Sequence, residues 1–356
     1  MGITGKGIKT EITGVRRFLI AEKTLILART MNNEIQNLLT EQLLHWDLAK
    51  SNYEALNCVK TKTLDVNGCA YKVQFNPARI VSSGASVDAK SIQQRKCFLC
   101  EENRPQEQKG IDFQNKYQIL INPFPIFPKH FTIPDTTHTP QLISHRMGDM
   151  LDLAEYMSDY VIFYNGPKSG ASAPDHAHFQ AGNKGFLPVE TAWQNHIEKT
   201  IFENKNTKLQ LVNYGFPFLV LSAPQPPKGG VEDQISELCA VFDKIYKALS
   251  KNNPNEEPMM NILTWFESAT KTPPSEGRGT GRFVVIIFPR KKHRPDCYFA
   301  QDDSSMMISP GLVDVAGVLI TARETDFDKI TSKDIEQILK EVCLSCEELE
   351  EIVEKL

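Results

Sequence analysis

Between Tyr164 and Gln180 the chain reads YNGPKSGASAPDHAHFQ and ends in the alternation His176-Ala177-His178-Phe179-Gln180. In a strand, positions i, i+2 and i+4 share a face, so two imidazoles and a carboxamide project together while Ala177 and Phe179 pack behind them. Such a row commits the segment to a sheet with an apolar backing. Just upstream, Gly166, Gly170, Ala171 and Ser172 make a small-residue loop whose backbone N–H groups can approach an anion closely. A nucleophile row beside an anion loop points to phosphoryl chemistry. A lone strand histidine is more often a half-buried structural residue, and H-x-H pairs also serve as metal ligands. Gln180 extending the row and the glycine loop before it favour the functional reading.

The remaining composition narrows the setting. At 356 residues the length suits two domains or an internal duplication. Hydrophobic content of 41% and charged content of 24% are those of an ordinary globular chain. A formal net charge of -4 argues against a nucleic-acid binder. No apolar run reaches the roughly 18 residues needed to span a bilayer, and MGITGKGIKTEITGVRR does not read as a signal peptide; Lys6 stands where myristoylation wants Ser or Thr. A cytoplasmic protein with no membrane partner is expected. Its eight cysteines are not a disulfide framework at this length; a close pair points to metal or redox chemistry.

Along the chain, Ile35, Leu38, Leu39, Leu43 and Trp46 predict a helix over Thr30–Lys50. Lys60–Leu64 and Tyr71–Phe75 straddle Asn67-Gly68, a hairpin signal, and Ser82–Lys90 reads as loop. Strands are expected at Tyr117–Ile121, His130–Ile133 and Tyr160–Tyr164, with a helix over Gln141–Ser158. Ala192–Phe202 is expected to be helical, Lys208–Tyr214 and Phe218–Leu221 strands. Pro and Gly concentrate in Pro224–Gly230, marking a division into 1–223 and 231–356. Beyond it come a helix over Glu232–Ser250, strands at Asn261–Glu267 and Arg282–Pro289 around a loop at Thr270–Gly281, and a helix from Ser332 to the end. The mixture favours α+β with an antiparallel sheet. No sequence repeat is visible.

The motif stretch resembles the histidine-triad superfamily, specifically its transferase branch, which carries H-x-H-x-Q where the hydrolases carry H-x-H-x-H. That branch contains galactose-1-phosphate uridylyltransferase, diadenosine tetraphosphate phosphorylase and GDP-L-galactose phosphorylase. The run HAHFQAGNKGFLPVE, His176–Glu190, looks most like the last. The resemblance implies an antiparallel sheet with flanking helices in two histidine-triad-like halves, and dimerisation in some members.

It also implies a metal site. Cys97-x-x-Cys100 supplies half of a tetrahedral zinc shell. In the uridylyltransferase such a pair follows N-P-x-R, as Asn76-Pro77-Ala78-Arg79 precedes it here; the resemblance completes the shell with His138 and His176. With four protein ligands the zinc would be structural. Cys343 and Cys346 also form C-x-x-C, but at helical spacing among Ile335, Ile338, Leu339 and Leu349 they read as core. His130 reads as strand support; His45, His145 and His196 read as surface or helix-face residues.

The chemistry implied is attack by neutral His178 on the α-phosphorus of a nucleotide, giving a nucleotidyl-histidine that a phosphate-bearing acceptor then takes over. Gln180 can donate hydrogen bonds to a non-bridging oxygen but cannot deliver a proton to a poor leaving group. Ser172 and the backbone at Gly170 are oxyanion candidates, and Asn165 resembles the family's phosphate-loop asparagine. Asn122-Pro123-Phe124-Pro125 resembles the segment that contacts ribose and base, which puts Asn122 and Phe124 at the substrate, with Arg79 as a further substrate contact. The basic run Phe288-Pro-Arg-Lys-Lys-His-Arg294 suits a phosphate site, with Arg290 and Lys292 as its candidates. The expected activity is phosphorolysis of an NDP-hexose, with dinucleoside polyphosphate phosphorolysis and hexose-1-phosphate uridylyl transfer as alternatives. From a different class, a zinc-stabilised nucleotide-binding module without turnover is the rival.

Overall fold

The computed structural model describes residues 32–80, 84, 89–223, 231–250, 253, 256–268 and 281–356. Residues 1–31, most of 82–90, 224–230 and 269–280, and with them the loops expected at Ser82–Lys90 and Thr270–Gly281, lie outside the described residues. Ten antiparallel strands form the main sheet: β3 (Gly110–Phe113), β4 (Tyr117–Ile121), β5 (His130–Pro134), β6 (Tyr160–Asn165), β7 (His178–Asn183), β8 (Ile197–Glu203), β9 (Lys208–Asn213), β10 (Pro217–Ser222), β11 (Met260–Ser268) and β12 (Gly281–Pro289), in the order β3-β4-β5-β7-β6-β11-β12-β10-β9-β8. A smaller sheet joins β1 (Lys60–Val66), β2 (Cys69–Phe75) and β13 (Val318–Thr321). The β1–β2 hairpin turns at Asn67 (φ 55°) and Gly68 (φ 82°), the left-handed pair that an Asn-Gly turn supplies.

The strand order holds a duplication. Read inward from either edge, β3-β4-β5-β7-β6 and β8-β9-β10-β12-β11 visit their strands in the same sequence, first-second-third-fifth-fourth. Each unit also sends one helix between its third and fourth strands, Met147–Tyr156 in the first and Val231–Leu249 in the second. The units meet where β6 pairs with β11, Asn165 opposite Asn261. They therefore divide between Asn183 and Ile197, not at 223–231; β10, which precedes that Pro/Gly stretch, is hydrogen bonded to β12, which follows it. The stretch connects strands inside the second unit.

Alternation along the strands sorts the side chains into two cores. Phe179 and Ala181 enter the core shared with the helices at Met147–Tyr156, Val231–Leu249 and Cys346–Val353, whereas Val161 and Phe163 face the small sheet and the helix Ser332–Val342. Burying Phe179 contributes roughly 1.5–3 kcal/mol, and a one-residue slip of β7 would send His178 and Gln180 into that core instead. Register and function are thus fixed together.

Several elements differ from expectation, among them the Thr30–Lys50 helix, which breaks at an extended Trp46 and restarts as Asp47–Leu56. The Ala192–Phe202 segment is not one helix: a short turn of helix at Val189–Ala192 is followed by β8, a largely exposed edge strand with two register shifts against β9. Those bulges erase the period-two pattern by which a strand is read. The C-terminal helix breaks at Cys343, which is extended (φ -106°, ψ 161°), and restarts at Cys346 behind the Ser345/Glu348 capping box. Cys343 therefore ends one helix in an extended conformation and Cys346 begins the next; Cys343 is buried and forms a β-bridge with Arg290. The helix expected over Gln141–Ser158 begins only at Met147, because Gln141 is used elsewhere. No described helix is long and apolar enough to cross a membrane.

Candidate functional site

The loop from Gly166 to Asp175 connects β6 to β7 and lets those strands part at their motif ends. Gln141 fills the opening. Its Nε2 donates to the carbonyls of Asn165 (3.0 Å) and His178 (2.9 Å), and its Oε1 accepts the His178 N–H (2.7 Å). A side-chain amide thus stands in for the missing strand and fixes the backbone of His178. Gln141 is buried, and the Tyr164 hydroxyl, 3.2 Å from its carbonyl, is hydrogen bonded to buried Glu257. Burial raises the Glu257 carboxyl to about 7.

His178 is 4% exposed. Its Nδ1 lies 2.8 Å from the His176 carbonyl; a carbonyl only accepts, so Nδ1 carries the proton and Nε2 carries the lone pair. Burial, opposed in part by that hydrogen bond, lowers the imidazole to about 4, so it is neutral at physiological pH. Two residues on, along the same face of β7, Gln180 lines a cleft walled by the first unit and by the chain after β12. Arg79, Asn165, Gly170, Ser172, His293, Arg294, Gly311 and Asp314 border it. Gly170 has φ +97°, and a Cβ there would lie 2.8 Å from the Gly311 Cα, so the motif loop touches the 310–311 segment only because this residue has no side chain. Asn165 Oδ1 accepts from Asn261 Nδ2 (2.8 Å) and the Leu312 N–H (2.7 Å), tying the loop to the second unit.

Other expected contacts sit apart from the cleft. Asn122 builds a turn, accepting the Phe124 N–H and donating to Thr132; Phe124 is partly exposed, and its carbonyl takes a hydrogen bond from Arg79. Arg290 does not offer itself to a phosphate. It is buried, and its five N–H groups go to Val342, Asn261, Pro310, Lys292 and His293 oxygens. Lys292 lies at the surface, paired with Asp296 and Glu341. The members of that basic run that reach the cleft are His293 and Arg294. The clustering was visible in the sequence, but not which side chains the turn after β12 would direct inward. Arg290→Lys is accordingly expected to destabilise the fold by roughly 3 kcal/mol, since it strands buried acceptors, whereas Lys292→Ala leaves the melting temperature and the response to phosphate unchanged; thermal unfolding with and without phosphate checks both.

Cys97, Cys100, His138 and His176 converge, with their ligand atoms all within 4.8 Å of one another. His176 Nδ1 is 3.3 Å from Cys97 Sγ and 3.6 Å from Cys100 Sγ, and His138 Nδ1 is 3.2 Å from Cys100 Sγ. Edges of about 3.3–3.8 Å are those of a tetrahedron of sulfur and nitrogen around an ion bound at about 2.0–2.3 Å. The donor set fits. His176 Nε2 donates to the Asp135 carbonyl (2.8 Å), which turns the bare Nδ1 toward the thiols.

Comparisons with known proteins cover nearly the whole described chain. Residues 38–183 match a domain of unknown function, DUF4922, and residues 188–356 match the GDPGP1-like C-terminal domain. The break between the two falls where the sheet divides. The chain is thus built from a DUF4922 domain followed by a GDPGP1-like C-terminal domain. A curated relative, Protein APA1 of Saccharomyces cerevisiae, is 23% identical over 248 residues, covering 65% of this chain and 68% of its own. The crystal structure of yeast Ap4A phosphorylase Apa2 in complex with Ap4A shares the fold with a TM-score of 0.57 at 16% identity, covering 89% of this chain and 98% of that one. The complex of the same enzyme with AMP gives 0.50 at 14% identity, over 85% and 96%. In this chain the motif strand has no counterpart in the second unit: the equivalent β12, GRFVVIIFP, is apolar almost throughout.

Proposed function

We propose that the protein is a nucleotidyl phosphorylase that works through a covalent intermediate on His178, with an NDP-hexose as donor and inorganic phosphate as acceptor. The observation that carries this reading is the tautomer of His178, protonated at Nδ1 toward the His176 carbonyl and bare at Nε2. In the first step Nε2 attacks the α-phosphorus, an N–P bond forms, and the bond from that phosphorus to the bridging oxygen breaks, releasing hexose 1-phosphate. The Nδ1 proton stays in place, and its carbonyl partner stabilises the cationic nucleotidyl-imidazole. In the second step a phosphate oxygen attacks the same phosphorus, the N–P bond breaks, and NDP leaves. Gln180 and the loop at Gly170 and Ser172 stabilise charge on the non-bridging oxygens, and Arg79, His293 and Arg294 hold the acceptor phosphate.

The Cys97/Cys100/His138/His176 cluster holds a structural zinc in this reading, because thiolate and imidazole donors suit that ion. Dinucleoside polyphosphate is the second donor class, supported by the fold shared with yeast Ap4A phosphorylase Apa2. Intact-protein mass spectrometry separates the two. Brief exposure to GDP-, UDP- and ADP-hexoses and to Ap4A, without phosphate, is expected to add one nucleoside monophosphate from an NDP-hexose. Labelling by Ap4A alone would move the assignment to the second class, and labelling by no donor would sink the covalent mechanism.

A further inference from the structure

From the sequence His130 reads only as strand support, yet both of its ring nitrogens are engaged. It is fully buried on β5. Nδ1 lies 3.1 Å from the backbone nitrogen of Ile126, and Nε2 lies 3.0 Å from Oε1 of Gln180. The Ile126 amide can only donate, so Nδ1 must be the bare nitrogen. A neutral ring with a bare Nδ1 carries its proton on Nε2. That proton needs an acceptor, and in the Gln180 carboxamide only the oxygen can accept; turning the amide over would set two donors against each other. The orientation of Gln180 therefore follows from a backbone amide four residues before His130.

We propose that His130 is a positioning residue that locks the Gln180 carboxamide with its oxygen inward and its NH2 toward the cleft, where it donates to the phosphoryl oxygens of the substrate. The consequence for the cleft rests on the nucleotidyl-histidine reading; the orientation itself does not. A carboxamide free to flip would offer an acceptor to an anion half of the time, which repels it. The ring is held in turn by Phe127 and Phe163, with centroids at 5.3 Å and 6.0 Å, and burial beside Arg79 lowers its protonation to about 3. An imidazole kept neutral across the physiological range is a constant donor at Nε2.

Two arms test this. In 15N spectra of the labelled protein, His130 is expected to show a protonated Nε2 and a bare Nδ1 from pH 5 to pH 8. A ring protonated at Nδ1 overturns the inference whatever the enzyme does. In single-turnover labelling with the donor that forms the adduct, His130→Phe keeps the ring contacts and is expected to slow adduct formation roughly 10- to 100-fold, part of the loss caused by removing an oxyanion donor. In a Gln180→Ala background the same change is expected to cost nothing further, because His130 acts through Gln180; an additive loss means a general packing role and overturns the proposal. Should His130→Phe fail to fold, Gln180→Glu at pH 8 decides the point: it still accepts from His130 but presents an acceptor to the substrate, so it must be at least as slow as Gln180→Ala. A Gln180→Glu protein near the wild-type rate sinks the idea. Absence of any adduct in the wild type sinks the nucleotidyl-histidine reading instead, and the spectra then decide the orientation alone.

Discussion

Replacing His178 with alanine is expected to abolish adduct formation and to lower turnover by a factor on the order of 10⁴ or more, the scale of losing a covalent nucleophile, while the protein stays folded. The second half of that statement comes from how the strand is held. Gln141 grips residue 178 through its main-chain N–H and C=O, and both survive truncation of the side chain. What is lost is the Nδ1–H bond to the His176 carbonyl and a small buried volume, together about 1–3 kcal/mol. Far-ultraviolet circular dichroism, the melting temperature and intact mass after exposure to donor separate the outcomes. An adduct on the folded variant would show that another residue carries the nucleotidyl group. A Gln141→Leu variant makes the converse point: the imidazole remains but its backbone clamp is gone, so activity and stability fall together.

The contrast between these two residues indicates what a sequence of this kind reveals. His178 and Gln180 are legible because a strand has period two and chemistry-bearing residues on every second position are conspicuous. Gln141 carries no such signal; its role depends on β6 and β7 parting, which is a long-range event between residues 24 to 37 positions away. His130 reads as a strand residue and is one, but its partner Gln180 sits across the β5–β7 pairing and the tautomer is set by Ile126. The duplication was invisible for a related reason. The two units share strand order while their strands serve opposite ends, a polar motif on β7 and an apolar run on β12, so topology repeats and sequence does not. Arg290 shows the limit of reading charge: a basic run after a strand points to an anion, yet the first cation of the run is the buried tie that holds Asn261, and through it Asn165, in place. Only the side chains that the following turn brings round reach the cleft.

Stripping the proposed zinc is expected to remove one ion per chain and to lower stability by several kcal/mol, which for a chain of this size is a fall in melting temperature of roughly 5–15 °C. The cost is uneven across the shell. His176 is buried and Cys97 nearly so, whereas His138 has 46% of its side chain in water, so Cys97→Ser is expected to lose the metal and the fold's local order together, and His138→Ala to weaken binding with a smaller loss of stability. Activity follows the metal for a structural reason. The carbonyl of His176 is the acceptor that holds His178 Nδ1–H, and the Asp135 carbonyl orients His176, so a shell that relaxes also releases the nucleophile from its tautomer. Elemental analysis of protein purified without added metal, followed by thermal unfolding and adduct formation before and after a strong chelator, measures all three quantities on one sample. Folded protein that forms adduct at an undiminished rate with no bound zinc would show that the four donors hold their positions through their own hydrogen bonds, and that the β5–β7 frame around His130, Gln180 and Gln141 is sufficient to present His178.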